Sequence, residues 1–197
     1  VLNRYTDVLT KYEGSKKYFT KKNGSAQWQE GDQFVQEDLA QTLKRIANQG
    51  RDGFYSGKTA DLIIEQMEQL GGLISYRDLE QYDSKWRDPV TARFQGYELN
   101  IMPPPSSGSI AINQILEMLK PYDLKAMGFN SARYVHLVTE AMRRAFADRA
   151  YFLGDPDFVD IPMSRLMSDS YNRQRMDTFD WDQASDSDEI DHGSIPS

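Results

Sequence analysis

The chain has 197 residues, of which 39% are hydrophobic and 12% aromatic, so it is long and apolar enough to form one large or two small folded domains. Its lack of cysteine excludes disulfides, cysteine nucleophiles and iron–sulfur clusters, and its two histidines, His136 and His192, argue against a classical zinc site. The net charge of −7 argues against a nucleic-acid partner, because no net positive field is available.

The negative charge is concentrated at the C-terminal end. Residues 177–197 hold seven of the 30 acidic residues and no Lys or Arg, whereas residues 1–176 hold 23 acids and all 23 bases. This composition predicts an acidic, flexible tail over 177–197. No apolar run is long enough for a membrane-spanning helix. The first residues, Val1 to Tyr5, contain neither a methionine nor an apolar signal core, which we interpret as an internal piece of a longer protein.

The first half of the chain predicts mostly helices. Residues 1–33 are polar, and Asn23-Gly24 would close either a small hairpin or a loose loop. Apolar residues at helical spacing predict helices from 36 to Gly50 and over 58–70, the second ended by a glycine pair. Ser75 followed by Asp78 predicts a capping box for a short helix.

The second half predicts one β element among further helices. Alternating residues over 90–102 indicate two strands or a hairpin. We expect Ser106 or Ser107 to cap a helix over 109–119. A long helix is predicted over 131–152, with Asn130 or Ser131 as its cap, and a weaker one from Ser164 or Ser168 to 176. The predicted fold class is α+β, a predominantly helical single region over 1–176 with a β element near 90–102.

Few side chains point to chemistry by themselves. Ser106-Ser107-Gly108 is better interpreted as a helix cap than as a nucleophile, because the first glycine of a hydrolase elbow is missing. His136 is expected to be a packed or partly exposed helix residue, and His192 to lie in the tail without a role. Glu140, Arg144 and Asp148 predict ion pairs on a solvated helix face, or alternatively a bridge to another domain. Asp155, Asp157 and Asp160 lack the glycine and glutamate of a calcium loop.

Several blocks in a fixed order carry a family resemblance. They are GRDGFYSG (50–57), GGLISYRDL (71–79), WRDPV (86–90), GY (96–97), MPPPSSG (102–108) and ADRAYFLGDPDF (147–158). Together they resemble gamma-glutamyltranspeptidases, and more narrowly the C-terminal half of the large subunit of that family. The family usually has two glycines after the serine pair, whereas this chain has Gly108 and then Ser109.

The resemblance implies an N-terminal nucleophile hydrolase with an αββα fold. A precursor cuts itself to expose a threonine at the start of the small subunit. That threonine attacks the gamma-glutamyl amide of glutathione, its α-amine can act as base, and water or an acceptor amino acid releases the acyl group. No metal or organic cofactor is implied. Bacterial members of the family are usually periplasmic or secreted, which is the compartment we expect.

The catalytic threonine is not among the 197 residues. The family's Thr-Thr-His segment does not occur in the chain, and we expect the self-cleavage threonine beyond Ser197. No catalytic, cofactor-binding or metal-binding residue is therefore assigned. The chain is expected to be inactive alone and to act as a scaffold whose partners are the remainder of the large subunit and the small subunit. Exposed apolar surface would favour self-association.

Other interpretations remain open. Within the same superfamily, the chain could be the corresponding part of a cephalosporin acylase or a capsule transpeptidase, because scaffold blocks do not select a substrate. Outside it, the chain could be a helical binding module without catalysis. A Thr-Thr-His segment shortly after Ser197 would favour the enzyme.

Overall fold

The computed structural model describes residues 1–195, which form two compact units, Val1–Ser84 and the described residues from Lys85 onward. We refer to them as the N-terminal and C-terminal units and describe each by itself. The sequence predicted a single region over 1–176. The division falls in a polar stretch with no regular structure, and each buried apolar cluster draws its residues from one unit alone.

The N-terminal unit consists of helices. Two short 3-10 helices span Leu2–Tyr5 and Lys22–Gly24. The α-helices are α1 (Thr6–Leu9), α2 (Glu13–Phe19), α3 (Glu37–Gln49), α4 (Asp52–Tyr55), α5 (Gly57–Leu70) and α6 (Tyr76–Gln81). Helices α3 and α5 confirm the predicted helices to within two residues. The buried core of α5 and α6 is formed by Ala60, Ile64 and Leu79.

The Asn23-Gly24 turn is neither a full hairpin nor a loose loop, the two structures that the sequence allowed. Asn23 and Gly24 both have positive φ, and a single antiparallel bridge joins Lys21 to Ala26. The Trp28 indole Nε1 donates to the Phe19 carbonyl at 3.0 Å, which ties down the chain after the turn. The segment is thus a closed turn with one bridge and not a pair of strands.

The predicted capping box of α6 is confirmed in both of its hydrogen bonds. The backbone nitrogen of Ser75 donates to Asp78 Oδ2 at 2.8 Å, and the Asp78 nitrogen donates to Ser75 Oγ at 3.4 Å. Aspartate therefore serves at the third helical position, where glutamate or glutamine is more usual.

The C-terminal unit contains the β element and the longest helix. Its strands are β1 (Val90–Phe94) and β2 (Tyr97–Ile101), and its helices are α7 (Gly108–Leu119), α8 (Leu124–Met127), α9 (Ala132–Phe152), α10 (Met163–Leu166) and α11 (Asp169–Arg175). The strands form an antiparallel hairpin in which Phe94 is paired with Tyr97. Gln95 and Gly96 both have positive φ, as a two-residue hairpin turn requires. The predicted mainly helical fold with one small hairpin is confirmed.

The core of the C-terminal unit forms where α7 packs against α9. Ala141 and Ala145 lie one turn apart on α9 and are fully buried, and their small side chains let the helices approach closely. Leu137 and Met118 fill the same cluster. A second cluster joins Ile110 of α7 to Leu166 and Tyr171 of α10 and α11. None of the helices in residues 1–195 is long and apolar enough to cross a membrane.

The predicted side-chain cap of α7 is wrong for Ser107, whereas Ser106 Oγ accepts the backbone amide of Gly108, the first residue of the helix, at 3.4 Å. Ser107 occupies the N-cap position, but its side chain makes no capping hydrogen bond. Its φ of −76° and ψ of −9° are already helical, whereas a capping residue needs extended backbone to turn its oxygen toward the free amides. Ser107 Oγ instead accepts a hydrogen bond from Arg149 Nε of α9 at 2.8 Å. By contrast, Ser131 and Ser168 cap α9 and α11 as predicted.

Candidate functional site

A row of polar side chains follows one face of α9. His136, Glu140, Arg144 and Asp148 are spaced by four residues and therefore lie above one another along the helix. Glu140, Arg144 and Asp148 each keep only 1% of their surface exposed. The prediction of ion pairs on a solvated face is thus wrong, because the C-terminal segment of the chain covers this face.

The first polar cluster on this face is a buried ion pair with extra partners. Arg144 Nη1 donates to Glu140 Oε2 at 2.7 Å, and Arg144 Nε donates to the Arg175 carbonyl at 2.7 Å. Glu140 also accepts the backbone nitrogen of Ser185 at 3.0 Å and its hydroxyl at 2.6 Å. Arg144 Nη2 donates to Thr178 Oγ1 at 3.0 Å. Both charges are therefore compensated by protein groups, as buried ions require.

The second polar cluster is centred on Asp148, two helical turns further on. Its Oδ2 accepts from Gln114 Nε2 at 2.7 Å and from the Tyr171 hydroxyl at 2.9 Å. Its Oδ1 accepts the backbone nitrogen of Gly193 at 2.8 Å and pairs with Arg175 Nη2 at 3.2 Å. One carboxylate thereby joins α7, α9, α11 and the C-terminal segment.

The protonation states in these clusters follow from their partners. Burial alone would raise the pKa of Glu140, but hydrogen bonds from Ser185 and Arg144 outweigh burial and hold this pKa below its usual range. Burial and the Asp148 carboxylate both raise the pKa of the Tyr171 phenol, which therefore stays protonated and donates. Glu140 is thus ionised and Tyr171 protonated at neutral pH.

The acidic segment after α11 lies along this face of α9. It reaches the start of the helix, where the Asp180 carbonyl lies 2.8 Å from His136 Nε2, and then returns past Glu140 to Asp148. Backbone groups and uncharged side chains make most of these contacts, while the acidic side chains from 182 to 191 are exposed. The flexibility predicted for 177–197 stays a prediction, but residues 178–193 have specific partners.

The two histidines and the serine pair have separate partners. His136 stacks near Phe179, and the ring of His192 lies 3.5 Å from that of Tyr151, centroid to centroid. Within residues 1–195, no hydrogen bond joins Ser106 or Ser107 to a histidine. The structure therefore does not assemble the nucleophile and base of a hydrolase from these side chains.

Two of the three aspartates after α9, Asp155 and Asp157, pair with cations. Asp157 pairs with Lys85 at 2.8 Å and with Arg87 at 2.9 Å, and hydrogen bonds from these two side chains lower the pKa of Asp157. The part of the chain described by the structure contains no group of three or more acidic or histidine side chains arranged to hold a metal ion.

The face of α9 therefore binds a segment of its own chain. Sequence reasoning missed the residues that complete it, which are Gln114, Tyr171, Arg175, Thr178, Ser185 and Gly193. A usable signal was present in the unbroken four-residue spacing from His136 to Asp148, together with the polar Gln114 among the mostly apolar residues of α7. Ion pairs on a solvated helix face have no partner on the neighbouring helix. A polar residue such as Gln114 on α7 therefore indicates that the polar face of α9 is buried against it.

The sequence is similar, over most of its length, to several proteins that are named proenzymes. The gamma-glutamyltranspeptidase family matches residues 1–195. A glutathione hydrolase proenzyme of Pseudomonas aeruginosa is 49% identical over 147 residues, covering 74% of this chain and 26% of the relative. The Escherichia coli glutathione hydrolase proenzyme is 40% identical over 190 residues, covering 96% and 32%. An acylase ACY 1 proenzyme of a Pseudomonas species is also 40% identical, over 161 residues, covering 82% and 29%.

The solved structures that resemble this fold include members of the same family. The crystal structure of Helicobacter pylori gamma-glutamyltranspeptidase superposes with a TM-score of 0.88 at 42% identity, covering 97% of this chain and 54% of that one. The chain spans between a quarter and a third of the length of the curated relatives it matches. Taken with the family match along the described residues, these similarities identify the chain as a member of the gamma-glutamyltranspeptidase family.

Proposed function

We propose that this chain is scaffold of an enzyme that transfers gamma-glutamyl groups from glutathione to water or to acceptor amino acids. The nucleophile would be the N-terminal threonine of a second, small subunit. The observation that carries the proposal is the family match along residues 1–195 in a chain without a Thr-Thr-His segment. The threonine must then be supplied by another part of the protein.

This chain contributes structural support and no catalytic group. Two buried polar clusters on α9 hold residues 178–193, and α7 and α11 hold α9 in turn. The partners we propose are the remainder of the large subunit and the small subunit. The relatives' designation as proenzymes supports this arrangement, because a proenzyme is cut after synthesis.

An assay with a gamma-glutamyl anilide tests the proposal. We expect no release of the aniline product by the 197-residue chain, because its first residue is Val1 and not a threonine whose hydroxyl and α-amine could act as nucleophile and base. The full-length precursor should split into two chains and then release the product. Activity of the 197-residue chain alone, or a precursor that never splits, would contradict the proposal.

A related acylase is the second candidate function. The observation that favours it is the acylase proenzyme, which is as similar to this chain as the Escherichia coli glutathione hydrolase. The scaffold does not contain the substrate pocket, so similarity here does not select between the two activities. Processed enzyme that hydrolyses a cephalosporin side-chain amide faster than glutathione would favour the acylase.

The compartment that we propose is the periplasm or the extracellular medium. The support is the family's occurrence as bacterial glutathione hydrolases. Fractionation of cells that express the full gene should place the enzyme outside the cytoplasm, and recovery with a cytoplasmic marker would contradict this.

The isolated chain should associate with itself through α9. Val135, Met142 and Phe146 lie on one face of the helix and remain exposed, although they are large and apolar. We propose that other parts of the enzyme cover this face and that a second copy covers it when they are absent. Sedimentation should show a concentration-dependent dimer. Phe146→Glu should abolish it, whereas Phe158→Glu, on the loop after α9, should not. A strict monomer at high concentration would contradict the proposal.

A further inference from the structure

The contact between Gly193 and the Asp148 cluster helps to hold residues 178–193, but the acyl transfer proposed above assigns it no step. Gly193 is buried, and its amide nitrogen donates to Asp148 Oδ1 at 2.8 Å. We propose that Gly193, held by Asp148, Tyr171 and Arg175, is a positioning residue for the self-cleavage of the precursor. This inference rests on the proposed function.

The space around Gly193 has room for a residue without a side chain only. A Cβ added to Gly193 would overlap the Tyr171 hydroxyl and would lie 2.7 Å from Tyr171 Cζ and 2.8 Å from Arg175 Cδ. Tyr171 cannot retreat, because its hydroxyl donates to Asp148 and its ring is fully buried. Arg175 is fixed as well, since it pairs with Asp148 and donates to the Asp191 carbonyl at 2.7 Å.

A second attachment gives the segment its direction. Ser185 is bound to Glu140, and Gly193 is bound to Asp148, eight residues further along α9, which corresponds to about 12 Å along the helix axis. Ile195 packs against the apolar cluster that contains Ile110 and Leu166. The chain therefore leaves α9 from a fixed point and in a fixed direction.

A fixed exit point matters for the reaction that follows. In self-cleavage, the threonine hydroxyl oxygen bonds to the preceding carbonyl carbon, the peptide C–N bond breaks, and the hydroxyl proton passes to the nitrogen. Water then hydrolyses the resulting ester, which leaves a carboxylate and a threonine with a free α-amine. An intramolecular attack of this kind depends steeply on geometry, and a displacement of about 1 Å can slow it by about a hundredfold.

The test is the Gly193→Ala variant of the full-length precursor. The splitting of the precursor, followed by gel electrophoresis, should be about ten- to a hundredfold slower than in the wild type. The thermal unfolding midpoint of the precursor should fall only slightly, because displacing Gly193 costs Asp148 one of its four partners and leaves those from Gln114, Tyr171 and Arg175 in place. The fraction that does split should have the wild-type kcat/KM for a gamma-glutamyl anilide, since the contact positions only the uncut chain.

Two further variants make the test selective. Ser194→Ala changes the exposed neighbour and should split at the wild-type rate. Ser185→Ala removes one hydroxyl bond to Glu140 without adding bulk, so it should fold normally and split more slowly than wild type but faster than Gly193→Ala. The Ser185→Ala variant therefore tests the proposal even if Gly193→Ala does not fold.

The outcomes separate the two proposals. A wild-type precursor that does not split would overturn the proposed function, and this inference with it. Splitting of the wild type together with wild-type rates in both Gly193→Ala and Ser185→Ala would overturn this inference alone. A markedly lower unfolding midpoint with an equal loss of splitting rate and kcat/KM would show a purely structural role and would also overturn it.

Discussion

Replacement of Arg144 by alanine should lower the free energy of unfolding by about 3–5 kcal/mol. The guanidinium is 1% exposed and bonds to Glu140, Thr178 and the Arg175 carbonyl. Its removal leaves the buried Glu140 carboxylate with hydrogen bonds from Ser185 alone, with Arg143 Nη1 as the remaining cation at 3.8 Å, and leaves a cavity where the guanidinium was. Urea denaturation of the wild type and the variant, followed by circular dichroism, measures the difference.

Arg173→Ala is the matched control for this prediction. Arg173 also pairs with an acid four residues earlier, Asp169, but both side chains are largely exposed. An exposed pair at this spacing contributes about 0.3–0.5 kcal/mol, so the loss should be correspondingly small. Equal losses in the two variants would mean that the Glu140–Arg144 pair is solvated after all.

The features that the sequence predicted correctly are those that depend on neighbouring residues. Ser75 and Asp78 form their capping box within one helical turn, and Ser131 caps α9 in the same way. The hairpin turn at Gln95-Gly96 needs only two residues of positive φ between alternating strands. Such signals act over three or four residues, so a single sequence contains all the information they need.

The polar face of α9 could not be predicted in the same way. An acid and a base four residues apart have the same spacing whether the helix face is exposed or buried. Burial is decided by Ser185 and Gly193, each 45 residues away from its partner on α9. The acidic composition of 177–197 also indicated a solvated tail. Composition does not reveal that backbone groups and uncharged side chains make most of the contacts while the carboxylates remain exposed.

The serine pair before α7 illustrates a competition between local and distant partners. A serine at an N-cap position ordinarily bonds to the first free amides of its helix. Ser107 has helical backbone angles, and its oxygen accepts from Arg149, 42 residues away. The family resemblance could assign the fold because it draws on many positions at once. The prediction that no catalytic residue lies in this chain stays a prediction.

In the N-terminal unit, Gly53→Ala should lower the free energy of unfolding by about 1–3 kcal/mol or more. Gly53 lies in α4 against the end of α3, where an added Cβ would overlap the Arg45 carbonyl group and lie 2.6 Å from the Ile46 nitrogen. Backbone atoms cannot change rotamer to relieve the overlap, so α4 must move away from α3. That movement would also strain the bond from Thr59 Oγ1 to the Gly53 carbonyl, which is 2.7 Å long.

Gly14→Ala should have the opposite effect and serves as the control. Gly14 lies within α2 with no atom within 4 Å of an added Cβ, and its φ is not positive. Alanine in a helix interior is more stable than glycine by about 0.5–1 kcal/mol, because glycine loses more backbone entropy on folding. In urea denaturation, the urea concentration at the midpoint of unfolding should therefore be lower than wild type for Gly53→Ala and higher for Gly14→Ala. A wild-type midpoint for Gly53→Ala would show that α3 and α4 are not in close contact, because the same methyl group would then find space.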